Sequence, residues 1–149
     1  MLYIFLVIII IFAEWKLKGY FEGVYDFKEQ KLVFKDCIRL RKYHNHGAFL
    51  NMMEKKKKLL HVISIIFTLI IAVFFLFTLC RKGNRILKLG LAFLFGGAFN
   101  NTYDRLSRDY VVDYFSFCSP WDGLNKVVFN ISDFCIILGT LLTVLSIES

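Results

Sequence analysis

Two aspartates stand out by their surroundings. Asp113 follows Val111 and Val112 and precedes Tyr114, and Asp133 lies one helical turn past Asn130 at the opening of a long apolar run. Ionisable groups at membrane depth are costly and tend to be functional. Each one alone also has an ordinary reading, as an interfacial or capping carboxylate favoured by the positive end of a helix. The two are separated by a single connection, so they can meet if that connection doubles back. Two carboxylates in contact share one proton. The ionised partner can then take a proton from water, and the protonated partner can polarise a carbonyl. Such chemistry needs neither a metal nor a covalent intermediate. No GxSxG, HExxH, Walker or GxGxxG pattern offers another route. His44 and His46 are close in sequence, but no further His or Cys has ligand spacing to them. No cofactor and no metal are therefore expected.

The elements that must position the aspartates are written in the hydropathy. The chain has 149 residues, 57% of them hydrophobic, and a net charge of +7, with mean hydropathy +0.56. A soluble domain is about 45–50% apolar, so the bilayer is the natural solvent. The basic residues flank apolar runs, as expected beside lipid headgroups. With no recognition motif, nucleic acid is not expected as a partner. Met1 to Ala13 reads as the start of a first membrane helix, with Trp15 as an interfacial anchor. Leu59 to Cys80 is the clearest span. Ile86 to Phe99 and Val127 to Ile147 follow, the last carrying Asn130 and Asp133 near its beginning. Four helices are expected, over about 1–15, 59–80, 86–100 and 130–147, in one domain of residues 1–149. Connections then cover 16–58 and 101–129. Leu32, Phe34, Ile38 and Leu40 share one parity while Lys31, Lys35, Arg39 and Arg41 share the other, which is a half-buried strand signal. The turn bearing Arg81, Lys82, Arg85 and Lys88 argues for a cytoplasmic location, but the basic first connection argues the opposite. Cys37 and Cys118 fall in loops and can pair if those loops face an oxidising compartment, whereas Cys80 and Cys135 lie in or beside apolar runs as small packing residues.

Three linked blocks stand out: Gly96-Gly97-Ala98-Phe99-Asn100-Asn101-Thr102-Tyr103-Asp104-Arg105-Leu106, Tyr110-Val111-Val112-Asp113-Tyr114 and Phe129-Asn130-Ile131-Ser132-Asp133. They resemble the bacterial lipoprotein signal peptidase family, also called signal peptidase II. The family's patterns GGAxGNxxDRL, VVDF and FNxAD occur in this order. Asn45-His46-Gly47-Ala48-Phe49 is similar to its NxGAA block, and Glu14 with Lys18 stands where it has DxxxK. The departures are Asn100 and Asp109 for Gly, Ser132 for Ala, Phe49 for Ala and Glu14 for Asp. None removes a carboxylate of the pair, although Asn100 and Asp109 would strain turns that glycine accommodates.

The resemblance implies an all-α polytopic membrane protein: four transmembrane helices with a small extracytoplasmic β-sheet from the first connection. It implies a bacterial plasma membrane location, cytoplasmic termini and a site at the outer surface, which would place the turn at 81–88 inside. It implies Asp113 and Asp133 as catalytic residues, with Asn45, Asn101, Arg105 and Asn130 lining or supporting the site, while Asp104 reads as a structural ion-pair member. The implied activity is aspartic endopeptidase cleavage of diacylglyceryl-modified prolipoproteins just before the lipidated cysteine, by a monomer among membrane lipids. Two alternatives remain: a transporter or assembly subunit using the aspartates as a proton relay, and a catalytically silent family member.

Overall fold

The computed structural model describes residues 1–47 and 56–146. Its elements are α1 (Leu2–Val24), β1 (Gln30–Val33), β2 (Ile38–Asn45), α2 (Lys57–Leu79), α3 (Arg85–Arg108), β3 (Val111–Phe117), α4 (Asp122–Lys126) and α5 (Ile131–Leu145). The chain is mostly helical with one three-stranded antiparallel sheet in the order β1-β2-β3.

The helices depart from their expected lengths for a physical reason. Hydropathy marks only the stretch that suits lipid, whereas a helix continues for as long as its polar side chains find partners. Thus α1 runs to Val24 rather than about 15 because Glu14 and Lys18, both buried, are paired inside the molecule. Likewise α3 runs to Arg108 rather than about 100. It ends at Asp109, whose φ of 64° is the left-handed conformation glycine adopts most readily. At Asn100 the expectation fails. This residue sits within α3 and not in a turn, and its Nδ2 donates to the carbonyls of Gly96 (3.3 Å) and Ile10 (3.4 Å).

The strand reading over 31–41 also needs correction. The stretch folds as a hairpin, turning where Phe34, Lys35 and Asp36 all take positive φ. The third strand comes from the connection after α3, where Val111, Val112, Tyr114, Phe115 and Phe117 supply β-branched and aromatic residues. A one-residue bulge in β2 between Leu40 and Tyr43 resets the pairing, so that Tyr43 opposes Asp113 and Asn45 opposes Val111. Without that extra residue His44 and not Asn45 would flank Asp113, because a one-residue slip exchanges the faces of a strand.

Among the helices, α2 is long and apolar enough to cross a membrane. Its mean hydropathy is 3.0 over the best window, and only 11% of that window is buried. A helix that is apolar and faces outward suits lipid as its neighbour. Val7, Phe75, Leu91 and Ala92 from α1, α2 and α3 form an interior cluster. The backbones of α3 and α5 approach closely at glycines: a Cβ on Gly97 would come within 2.5 Å of the Ser132 carbonyl oxygen, and one on Gly139 would clash with Leu94. Gly97 lies one turn before Asn101, so this contact sets Asn101 beside the first turn of α5.

Candidate active site

Each site residue is held by a different piece of the frame. Asp113 is carried by β3, where its side chain is buried. The segment after α4 returns alongside β3. The Phe129 N–H donates to the Phe115 carbonyl at 2.7 Å, and the N–H groups of Tyr114 and Phe115 donate to the Phe129 carbonyl at 2.9 and 3.1 Å. The return delivers Asn130, the next residue, to Asp113 and starts α5.

The first turn of α5 is satisfied amide by amide. The Asp133 N–H donates to Asn130 Oδ1 (3.0 Å), and the Asn130 N–H donates to Asp133 Oδ2 (3.1 Å), a reciprocal capping box. The Ile131 N–H donates to the Tyr114 hydroxyl (3.0 Å), and the Ser132 N–H donates to Glu14 Oε1 (3.3 Å). Tyr114 in turn donates to Glu14 Oε2 at 2.8 Å. These bonds satisfy amides that a helix start otherwise leaves without partners. They also pin α1, β3 and α5 together within a residue of each aspartate.

Amide side chains connect the two carboxylates. Asn45 donates to Asp113 Oδ2 at 2.9 Å and Asn130 Nδ2 to Asp113 Oδ1 at 2.6 Å. Asn101 donates to Asp133 Oδ1 at 2.9 Å, and Asn130 Nδ2 also reaches Asn101 Oδ1 at 3.3 Å. Asparagine suits this work because its amide both donates and accepts. Burial, and then the negative charge of Asp133, push the Asp113 carboxyl up to about 8, against the opposing pull of Asn45, Lys18 and Asn130. Around neutral pH the pair therefore retains a proton that belongs to both groups.

Asp133 is half-buried and opens onto a cavity of about 980 Å³ that also meets Asn45, Asn101 and Arg105. Away from this polar end the cavity is walled by Ile63, Phe67, Ile70 and Leu94 from α2 and α3 and by Ile137 of α5. Arg105 Nη1 donates to the Asn101 carbonyl at 3.3 Å, and among the described residues its Nε has no partner. All six residues singled out by sequence thus gather in one place. Ala48 and Phe49 of the NxGAA-like block lie outside the described residues.

Three participants, Glu14, Lys18 and Asp104, were not among those six. Lys18 is buried, with Nζ 2.9 Å from Asn101 Oδ1, 2.9 Å from Asp104 Oδ2 and 3.8 Å from Glu14 Oε1. Asp104 also accepts from the Val112 N–H at 3.2 Å and lies 3.7 Å from Arg108, which makes it the ion-pair member that was expected. In the sequence Glu14 and Lys18 are marked by their match to the DxxxK pattern, and their i,i+4 spacing puts them on one face of α1. His44 and Glu22 form a separate contact: His44 Nε2 lies 3.0 Å from Glu22 Oε2, and the His44 ring stacks on Tyr110 at 3.7 Å.

Helices with apolar outer faces around a polar, carboxylate-bearing site make up the build of a membrane enzyme. Two solved structures titled as bacterial membrane enzymes share the fold, with TM-scores of 0.83 and 0.81 at 19% and 20% identity. They cover 98% and 97% of this chain, and 87% and 91% of their own. The sequence model of the signal peptidase (SPase) II family matches residues 6–148, and the chain belongs to that family. Among its relatives, a lipoprotein signal peptidase of Clostridium tetani (strain Massachusetts / E88) is 33% identical over 119 residues, covering 80% of this chain and 74% of the relative. One from Latilactobacillus sakei subsp. sakei (strain 23K) is 26% identical over 147 residues, covering 99% and 93%.

Proposed function

We propose that this peptidase is an aspartic endopeptidase, with Asp113 and Asp133 as its catalytic pair, and that it removes signal peptides from prolipoproteins by cleaving before a diacylglyceryl-modified cysteine. The observation that carries the reading is that Asn130 bonds to both carboxylates, one of them at the polar end of an apolar cavity. The pair shares one proton. Its ionised member draws a proton from water as the water attacks the scissile carbonyl, and its protonated member donates to that carbonyl oxygen. The proton taken from water then passes to the leaving amine as the C–N bond breaks, and a hydroxyl proton of the tetrahedral intermediate returns to the pair as the carbonyl re-forms. Asn45, Asn101 and Asn130 hold the carboxylates in register, and the Arg105 guanidinium, at the cavity wall, is placed to bind carbonyl oxygens of the substrate.

The cavity suits a substrate that is itself largely apolar. A signal helix and two acyl chains remain in lipid while the scissile bond meets Asp133. The reading extends to a single domain with four membrane-spanning helices in the bacterial plasma membrane. The sheet would lie outside, both termini inside, and the chain would act as a monomer. The proton-relay alternative is not favoured, because a relay needs acids at several depths, whereas the α2 span contains none.

The test is a pair of precursors that differ only in diacylglyceryl modification of the cysteine, given to the purified enzyme in detergent. The lipidated precursor should be cleaved at least about tenfold faster, equivalent to roughly 1.4 kcal/mol of transition-state binding. Equal rates would overturn the substrate assignment.

A further inference from the structure

The peptidase site leaves the far end of the sheet unexplained, and two cysteines stand opposite each other there. The final paired residues of β2 and β3 are Ile38 and Phe117. One step further out stand Cys37 and Cys118, and the ladder still continues between them: the Cys118 N–H donates to the Cys37 carbonyl at 2.9 Å. Directly opposed residues project their side chains from the same face of a sheet. In a hydrogen-bonded antiparallel pair their Cα atoms stand about 5.5 Å apart, inside the roughly 4.4–6.8 Å range that a disulfide spans. Cys37 is exposed and Cys118 half-buried, so a reagent can reach the pair from solvent. In this structure both are thiols, and Cys37 Sγ rests 3.7 Å from the Lys35 carbonyl. The other two cysteines are off the sheet: Cys80 ends α2, and Cys135 is buried in α5.

We propose that Cys37 and Cys118 are an oxidation site, which a disulfide oxidant converts to a cross-strand disulfide. The exposed Cys37 thiolate attacks a small-molecule or protein disulfide, forming a mixed disulfide and releasing one thiol. The Cys118 thiolate then displaces the second thiol and closes the Cys37–Cys118 bond. Two S–H bonds are lost, one S–S bond is formed and the oxidant leaves as two thiols. The link joins the first connection to the third. It clamps the β2–β3 register at the end of the sheet away from Asn45 and Asp113, and holds the base of the hairpin turn in which Phe34, Lys35 and Asp36 are all left-handed. The proposal does not depend on the catalytic reading.

The test uses the full chain, carrying Cys80→Ser, purified in detergent and exposed to oxidised glutathione. The protein is then alkylated and digested without reduction for mass spectrometry. The expected result is a peptide pair linked through Cys37 and Cys118, with the intact mass lower by two hydrogens. In the Cys118→Ser variant the reaction should stop at a glutathione adduct on Cys37. Wild-type Cys37 and Cys118 that both remain alkylatable, that each accumulate as glutathione adducts, or that link two chains together would each overturn the proposal.

Discussion

Lys18 Nζ and Asn101 Oδ1 lie 2.9 Å apart in the buried interior, although 83 residues separate them in sequence. Asn101 turns its other side to Asp133. A buried ammonium group therefore stands one amide away from the carboxylate pair.

This relationship has a measurable consequence. The positive charge of Lys18 favours the ionised form of Asp113. Removing it should make the pair hold its protons to higher pH, so the acid limb of the activity profile moves up by a fraction of a unit to about one unit. Lys18→Met is the informative variant, and Lys18→Arg, which keeps the charge, should leave the limb near its original position. A uniform loss of activity with both limbs unmoved would mean that Lys18 only braces the structure.

Burying Asp113 should also make stability depend on pH, with a definite sign. Its carboxyl is raised from 3.8 to about 8 in the folded chain. The folded state thus keeps a proton that the unfolded chain releases, and stability falls as pH rises between those values. Asp113→Asn removes one of the pair's two titrations. Its melting temperature relative to wild type should climb by a few degrees from pH 4 to pH 8. A difference constant across that range would contradict the placement of Asp113 in a desolvated site.

Part of this arrangement was legible in the sequence because short-range rules set it. Asn130 and Asp133 are spaced as a capping box, and Glu14 and Lys18 as one face of a helix. The apolar run of α2 declares its own solvent. Other parts depend on contacts distant in sequence. Val111–Phe117 reads as part of a polar connection, although its valines and aromatics favour a strand; its place in the sheet is set by β2 and Phe129, which supply partners on either side. The turn at Phe34–Asp36 contains neither glycine nor proline, and Asp36 is its one turn-favouring residue, so turn chemistry gave only a weak sign of the hairpin. The bulge that puts Asn45 beside Asp113 has no local signature either.

The proposed orientation can be tested by labelling introduced cysteines from outside the cell. Positions near Lys28 and Asp122 should react with an impermeant maleimide, and positions near Asn84 should not. Labelling at Asn84 alone would invert the topology and leave the basic first connection inside.

Metal independence separates an aspartic pair from a metallopeptidase. His44 is engaged with Glu22 and Tyr110, and no cluster of metal-ligating side chains occurs among the described residues. Activity should persist in EDTA and give a pH profile with two limbs, because full protonation removes the base and full ionisation removes the acid. Activity lost in EDTA and restored by zinc would defeat the two-carboxylate mechanism.

The most direct measurement is single-turnover cleavage of a lipidated precursor by wild type, Asp113→Asn and Asp133→Asn, each first shown to be inserted and folded. Asparagine preserves the shape of the site but can neither accept nor deliver the shared proton. Loss of an acid–base group usually costs about 10²–10⁴-fold, and each variant should lose at least the lower figure. Either variant retaining more than about a tenth of the wild-type rate would contradict catalysis by this pair.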